Sequence, residues 1–271
     1  MLAPASKVRV SDSDELDVWV VGDGTPVLLI HGGFFCNLFR PLVDELARKG
    51  GYRLIWYHRR GYNGKPTGPV EIPEQAPDVV KILDALDIGK AHVVGHSYGA
   101  KIALELAMRA PTRLLSVVLG EPVLALHIAS EAELGAMFEP VMAKVQSGDL
   151  EGAAADFLAL HGCTKELMDR ALPGSWAAMV RDLPTWFQVE MPALMKWKPD
   201  PARVGAIQVP VALVAADQMP LISASRQLLQ KWLPGSTVIE ISGAGDHFFP
   251  VKATAGTAAA IDAWIKSQDR N

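Results

Sequence analysis

Ser97 lies in a short stretch whose residue types favour nucleophilic chemistry. It is the centre of the pentapeptide Gly-His-Ser-Tyr-Gly, residues 95–99. The apolar run at residues 91–94 predicts the end of a buried strand, and apolar residues at helical spacing after the serine predict a helix. Such a sharp reversal from strand to helix strains the central residue, and the flanking glycines remove the Cβ atoms that would collide. The pattern therefore predicts a nucleophile elbow that exposes the Ser97 hydroxyl.

A serine hydroxyl needs a neutral imidazole to accept its proton, and the chain has seven histidines. His247 follows the last predicted strand, in the glycine-rich segment 242–250. Because the carboxyl ends of parallel strands share one edge of a sheet, we expect His247 beside the elbow as the base. His96 is expected to point into the sheet. The other histidines lie in other loops, at strand ends or in the middle of the chain: His31, His58, His92, His127 and His161.

Backbone donors for a developing oxyanion are predicted after an earlier strand. The buried strand at residues 27–30 leads directly into His31, Gly32 and Gly33. Glycine lets the backbone approach a substrate closely and leaves N–H groups free to donate. Together with the N–H group of Tyr98 at the start of the helix, Gly32 and Gly33 predict an oxyanion hole.

Strand and helix patterns alternate over residues 1–120 and 209–271. They predict an α/β core domain with a mostly parallel, twisted sheet flanked by helices. Further strands are expected at 8–10, 16–21, 52–57, 114–119, 209–215 and 237–241, and further helices at 38–48, 72–86, 221–233 and 251–266. Residues 121–208 interrupt the alternation with helical patterns at 131–146, 150–160, 164–171 and 176–195, and breaks are expected near Pro184 and Pro192. This interval predicts a helical cap.

The cap sequence is rich in methionine and aromatic residues, which suit an adaptable apolar cavity over the serine. Any one of these residues could equally belong to the core of a helical insertion. The residues predicted to contact substrate are Phe34, Met137, Trp186, Phe187, Met191 and Phe248.

Composition excludes several classes of protein. A net charge of −4 and the absence of a basic cluster other than Arg59 and Arg60 disfavour nucleic acid as a partner. No run approaches the ~20 apolar residues of a membrane span, and no apolar leader begins the chain, so a cytoplasmic protein is expected. Cys36 and Cys163 are expected to be reduced thiols. No metal-ligand spacing appears, so neither a metal nor a cofactor is expected. The expected partner is a small molecule, and a homodimer stays open.

The order of these motifs resembles the α/β-hydrolase fold superfamily in its serine hydrolase branch. The resemblance runs from His-Gly-Gly at residues 31–33, through the pentapeptide at 95–99, to Gly-Asp-His at 245–247. It implies a catalytic triad whose acid usually follows the strand predicted at 209–215. Counted from Pro210, that position holds Met219, and Asp217 comes two residues early.

Glu121 offers another position for the acid. It follows the strand predicted at 114–119, 24 residues beyond Ser97, and a minority branch of the superfamily takes its acid there. In this feature, and in a tryptophan preceded two residues earlier by proline (Pro184 and Trp186), the chain resembles zearalenone-type lactonases. The resemblance favours Glu121 over Asp217 as the acid that orients His247.

These residues predict acyl transfer from an ester or a lactone to water through an acyl-enzyme on Ser97. Two alternatives stay open. A cofactor-free haloperoxidase or perhydrolase would use the same triad, and a ligand receptor of this fold would turn over its ligand slowly.

Overall fold

Eight strands form one sheet at the centre of the protein. They are β1 (Ser6–Arg9), β2 (Glu15–Val21), β3 (Thr25–Ile30), β4 (Tyr52–Tyr57), β5 (Ala91–His96), β6 (Leu114–Gly120), β7 (Val211–Ala215) and β8 (Thr237–Glu240). Their order across the sheet is β1-β2-β4-β3-β5-β6-β7-β8. β1 pairs antiparallel with β2, as does β2 with β4, and every other pair is parallel. The computed structural model describes residues 4–216 and 219–269.

Both faces of the sheet are buried, which explains the continuous apolar runs of its central strands. In β3, Leu28 and Ile30 face one apolar cluster, whereas Val27 and Leu29 face another. This alternation follows from the two-residue period of a strand. The predicted mostly parallel α/β sheet is therefore confirmed.

The helices lie in the order that the alternation predicted, with the insertion between β6 and β7. They are α1 (Arg40–Lys49), α2 (Ile72–Ala85), α3 (Tyr98–Arg109), α4 (Ala125–Ile128), α5 (Glu131–Gln146), α6 (Leu150–Leu160), α7 (Lys165–Ala171), α8 (Ser175–Pro184), α9 (Met191–Leu194), α10 (Pro201–Gly205), α11 (Pro220–Trp232), α12 (Phe249–Lys252) and α13 (Thr254–Gln268). Apolar residues of α1 and α13 belong to one cluster, and those of α2 and α3 to the other. Residues 122–210, between Glu121 at the end of β6 and the start of β7, are called the helical insertion below.

Inside the insertion, the chain does not break at Pro184 or Pro192, so this part of the prediction is wrong. A π-helical segment, Thr185–Glu190, joins α8 to α9. Pro184 is the last residue of α8, and the wider π turn follows it directly. Pro192 lies in the first turn of α9, where proline is tolerated. The short helices α4 and α10 were not predicted, and the helix expected at 251–266 is divided into α12 and α13.

Two further expectations concern the thiols and the membrane. Cys36 and Cys163 are buried free thiols, as predicted. In the part of the chain that the structure describes, no helix combines the length and the apolar character needed to cross a bilayer.

Candidate active site

Ser97 occupies the elbow between β5 and α3 in a strained conformation, with φ 53° and ψ −115°. Its N–H group donates to the carbonyl of Gly120 at 2.7 Å, which fixes the elbow to the end of β6. A Cβ atom on Gly95 would overlap the backbone of Gly99, and one on Gly99 would overlap the carbonyl of Ile30. The two glycines are therefore required by close backbone approach, as the pattern predicted.

His247 and Glu121 form a buried pair at the same edge of the sheet. The distance from His247 Nδ1 to Glu121 Oε2 is 2.8 Å, and Glu121 Oε1 accepts from the N–H group of Ala216 at 2.9 Å. The two side chains are 7% and 0% exposed. Glu121 has φ 55° immediately after β6, so the backbone turns sharply where the carboxylate is needed. The structure thus brings Glu121 to His247, while the alternative acid, Asp217, lies outside the described residues.

The surroundings keep the His247 imidazole in its neutral form. Burial, and secondarily the positive charge of Lys101, lower the pKa of His247 to about 3. The imidazole is therefore neutral at physiological pH. A neutral ring whose Nδ1–H donates to Glu121 leaves Nε2 as the basic nitrogen. Ser97 and His247 line the same cavity.

His96 does not point away into the sheet as predicted, so that expectation is wrong. Its Nε2–H donates to the backbone carbonyl of His247 at 2.8 Å, and the centres of the two rings are 4.7 Å apart. His96 is the last residue of β5 and directly precedes the elbow at Ser97. Burial lowers its pKa to about 3, so His96 is a neutral donor that holds the His247 backbone.

The predicted oxyanion loop lies against both the nucleophile and the insertion. A Cβ atom on Gly32 would come within 3.1 Å of the Cβ atom of Ser97, and one on Gly33 would overlap the ring of Trp186. The N–H group of Phe34 already donates to the Tyr62 hydroxyl at 3.1 Å. Tyr98 is the first residue of α3, where an N–H group has no acceptor within the helix.

Arg59 fixes the carbonyl groups of this loop from behind. Its Nε and Nη2 donate to the carbonyls of His31 and Gly32 at 3.0 and 2.8 Å. The guanidinium is 1% exposed and pairs with Glu190 of the insertion, whose other carboxylate oxygen accepts from the Tyr62 hydroxyl at 2.7 Å. The sequence did not reveal this pair, because no motif spacing links two residues 131 positions apart.

The cavity beside Ser97 has a volume of about 80 Å³ and a mostly apolar wall. Three residues predicted to contact substrate line it: Phe34, Trp186 and Phe248. The insertion adds Phe138, Phe157 and His161. The rings of Phe34 and Trp186 are 4.4 Å apart, so the loop and the insertion close the cavity together.

The structure corrects the prediction for Phe187, Met137 and Met191, which do not line this cavity. Met137 is 48% exposed, because its position on α5 faces outward. Phe187 and Met191 are buried in the larger apolar cluster instead. Methionine-rich and aromatic composition cannot distinguish residues that pack the insertion from residues that line its cavity. Within residues 4–216 and 219–269, no three His, Cys, Asp or Glu side chains are grouped so as to hold a metal ion.

A family model for the α/β hydrolase fold matches residues 25–189. RutD of Azorhizobium caulinodans, by its name a candidate carbamate hydrolase, is 38% identical over 36% of this chain and 37% of its own length. Rhodomycin D methylesterase DauP of a Streptomyces species is 36% identical over 47% of this chain and 46% of its own. RutD of Caulobacter sp. strain K31 is 29% identical over 88% of this chain and 90% of its own. In four of its relatives, including RutD of Azorhizobium caulinodans, the chain matches only about two fifths of the relative's own length.

Solved structures are similar over almost the whole chain. A hydrolase of Pseudomonas aeruginosa PA01 has a TM-score of 0.76 at 22% identity, with 96% of this chain and 97% of the other covered. The enol-lactonase of Burkholderia xenovorans LB400 has a TM-score of 0.74 at 20% identity, with 96% and 99% covered. At these identities, the likeness shows the fold alone. With the family match over more than half of the chain, it establishes that the chain belongs to the α/β hydrolase fold family.

Proposed function

We propose that the protein hydrolyses a carboxylic ester or lactone of a small, largely apolar molecule through an acyl-enzyme. The observation that carries this proposal is the buried His247–Glu121 pair beside a strained serine in one apolar cavity. A neutral imidazole held by a carboxylate is the arrangement that activates a hydroxyl. The activities named for the relatives, methyl ester and carbamate hydrolysis, are also transfers of an acyl or carbamoyl group to water.

In the first step, the Ser97 Oγ attacks the substrate carbonyl and its proton passes to His247 Nε2. Glu121 keeps the Nδ1–H of the imidazolium hydrogen bonded and stabilises its charge. His247 then donates the proton to the leaving oxygen, and an ester bond remains between Ser97 and the acyl group. In the second step, His247 takes a proton from water as the water oxygen attacks the acyl-enzyme. His247 then returns that proton to Ser97 Oγ as the bond between Oγ and the acyl group breaks and the acid is released.

The negative charge that develops on the carbonyl oxygen is assigned to the N–H groups of Gly33 and Tyr98. Each such donor contributes about 3–4 kcal/mol of transition-state stabilisation. Arg59 supports this role indirectly, because its bonds to the His31 and Gly32 carbonyls restrict how the loop peptides rotate. The Tyr62 bond to the Phe34 N–H restricts the other end of the same loop.

The size of the cavity bears on the substrate. Cavities that enclose a whole ligand are typically 300–1,000 Å³, whereas this one is about 80 Å³. A short acyl group fits such a volume, and a larger substrate requires the insertion to move away from the core. We therefore expect esters with short acyl chains to be the best small test substrates.

Replacing Ser97 with alanine tests the proposal. Turnover of short-chain esters, methyl esters, an enol lactone and an aryl carbamate should fall by about 10³-fold or more. An unchanged melting temperature would show that the variant is folded. A folded variant with the wild-type rate on its best substrate would contradict the serine mechanism.

A further inference from the structure

Lys101 is a buried cation in the wall of the active-site cavity. It lies on α3, one helical turn beyond Ser97, and is 2% exposed. It lines the cavity that Ser97 and His247 also line. Lysine is rarely buried to this degree unless its charge is paired, so its place here calls for a partner.

The residues that the structure describes do not provide that partner. Across residues 4–216 and 219–269, the Lys101 ammonium has no hydrogen-bond acceptor and no ion pair. Its Nζ atom lies over the ring of Trp197, 5.9 Å from the ring centre. The two nearby acids are occupied by other groups. Glu190 is held by Arg59 and Tyr62, and Glu105 accepts from Trp197 Nε1 at 2.9 Å and from Arg109 at 2.8 Å.

The charges around Lys101 leave it able to gain a proton when an anion approaches. Burial lowers the pKa of Lys101 to about 7, with Glu190 opposing the shift and Arg59 adding to it. The charge of Lys101 in turn lowers the pKa of His247, which faces the same cavity. An anion bound beside Lys101 would raise its pKa and remove the cost of an unpaired buried charge.

We propose that Lys101 binds an anionic group of the substrate, a carboxylate, and so determines specificity. The natural ester or lactone would then be apolar around the scissile bond and carry one acid group that reaches the α3 side of the cavity. This inference rests on the proposed ester chemistry and narrows its substrate class.

Two pairs of small esters test the proposal, and each pair differs only by a carboxylate replaced with a methyl ketone. Monomethyl succinate and methyl levulinate carry the group in the acyl part. Acetoxyacetate and acetoxyacetone carry it in the alcohol part. The measured quantity is the ratio of kcat/KM for the anionic ester to that for its neutral partner, in the wild type, Lys101→Met and Lys101→Arg.

We expect the ratio for at least one pair to fall by about 10- to 100-fold in Lys101→Met, as for loss of a charge-assisted hydrogen bond. Lys101→Arg should restore part of it. Lys196→Met is the matched control, because it removes the same charge from a side chain that is 68% exposed and paired with Glu71. That control should leave both ratios unchanged.

The pH dependence gives a readout that a merely structural lysine would not produce. The wild-type ratio should decline as pH rises through about 7, where Lys101 loses its proton, since the carboxylates of the esters are ionised throughout. The ratio of Lys101→Met should be flat over the same range. Circular dichroism melting of both variants checks that they are folded.

Binding separates this proposal from the proposed reaction. The dissociation constants of the four esters are measured by calorimetry on Ser97→Ala and on the double variant Ser97→Ala, Lys101→Met. Weaker binding of one anionic ester alone in the double variant supports the role of Lys101 even if no ester is turned over. Equal effects on anionic and neutral partners in both pairs, in turnover and in binding, would overturn it.

Discussion

The edge of the sheet and the helical insertion contribute to the same cavity in different ways. At the sheet edge, Glu121, His247 and His96 are connected by hydrogen bonds of 2.8 Å. The insertion contributes mainly aromatic rings, such as Trp186 and Phe157, whose centres are 5.5 Å apart. Hydrogen bonds fix the direction in which a proton moves, whereas ring contacts fix volume and polarity. We therefore assign the proton transfers of the reaction to the core, and the selection of substrate to the insertion and to α3.

Backbone strain also distinguishes the core from the insertion. Five described residues other than glycine have positive φ angles, and three of them, Phe34, Ser97 and Glu121, belong to the candidate site. All three come from the core, at or just beyond the ends of β3, β5 and β6. Strained backbone persists where its surroundings determine it strongly. The rigid sheet therefore supports the conformations that the chemistry needs, and no such residue comes from the insertion.

Among the variants that test the role of the core, replacing Glu121 should cause the largest loss of activity. Replacing it with glutamine keeps the volume and the bond from Ala216 but removes the charge that stabilises the imidazolium. We expect kcat for a short ester to fall by about 10²- to 10⁴-fold with little change in KM. Asp217→Asn is the comparison variant. Loss of activity in Asp217→Asn alone would show that the acid has been assigned to the wrong residue.

Three buried, neutral histidines of the core lead us to expect that the stability of the protein depends on pH. Burial holds the pKa of His31, His96 and His247 below the usual value of about 6.5. Below pH 6.5, the unfolded chain therefore binds more protons than the folded one, and stability falls as pH falls. Each of these residues adds up to about 1.4 kcal/mol per pH unit to that slope.

Urea unfolding at intervals between pH 7.5 and 4.5 measures this slope. The free energy of unfolding should be nearly constant above pH 7 as far as these histidines determine it, and should decline below pH 6.5. A free energy that stays level or rises on acidification would mean that these rings are protonated in the folded protein.

Two tryptophans of the insertion give the smallest and most selective test. Trp186 lines the cavity, whereas Trp176 lies outside it and donates to Glu151 at 3.0 Å. We expect Trp186→Phe to change the relative kcat/KM of short and long esters by about 3- to 30-fold, equivalent to roughly 0.6–2 kcal/mol. The control Trp176→Phe should lower stability by about 1 kcal/mol and leave the ranking of substrates unchanged. Equal shifts in both variants would mean that the insertion acts only as packing.

The sequence signals that indicated the site residues of the core are mostly local. The glycines around Ser97, the two glycines after β3 and the loop before α12 each lie within a few residues of the group they position. Glu121 was favoured over Asp217 through a resemblance, and the structure brings its carboxylate to His247. Local spacing and the convergence of strand ends were sufficient to predict that Ser97 and His247 lie close together.

Other features depend on contacts between distant segments. The bond from His96 to the His247 backbone, the pairing of Arg59 with Glu190 and the burial of Lys101 have no sequence spacing that reveals them. Every residue from Tyr98 to Ala107 on α3 is buried, because the sheet, α2 and the insertion all pack against the helix. An amphipathic pattern cannot reveal that a helix is buried on all sides. Lys101 was therefore not among the residues predicted for the site.

The most direct test of the central claim is covalent labelling by a fluorophosphonate. The reagent requires a serine activated by a neighbouring imidazole, so the account predicts one adduct per chain, located on the peptide that contains Ser97. Intact mass and peptide mapping should show rapid labelling of the wild type, much slower labelling of Glu121→Gln, and none of Ser97→Ala. A wild-type protein that stays unlabelled, or an adduct on a residue other than Ser97, would contradict the account.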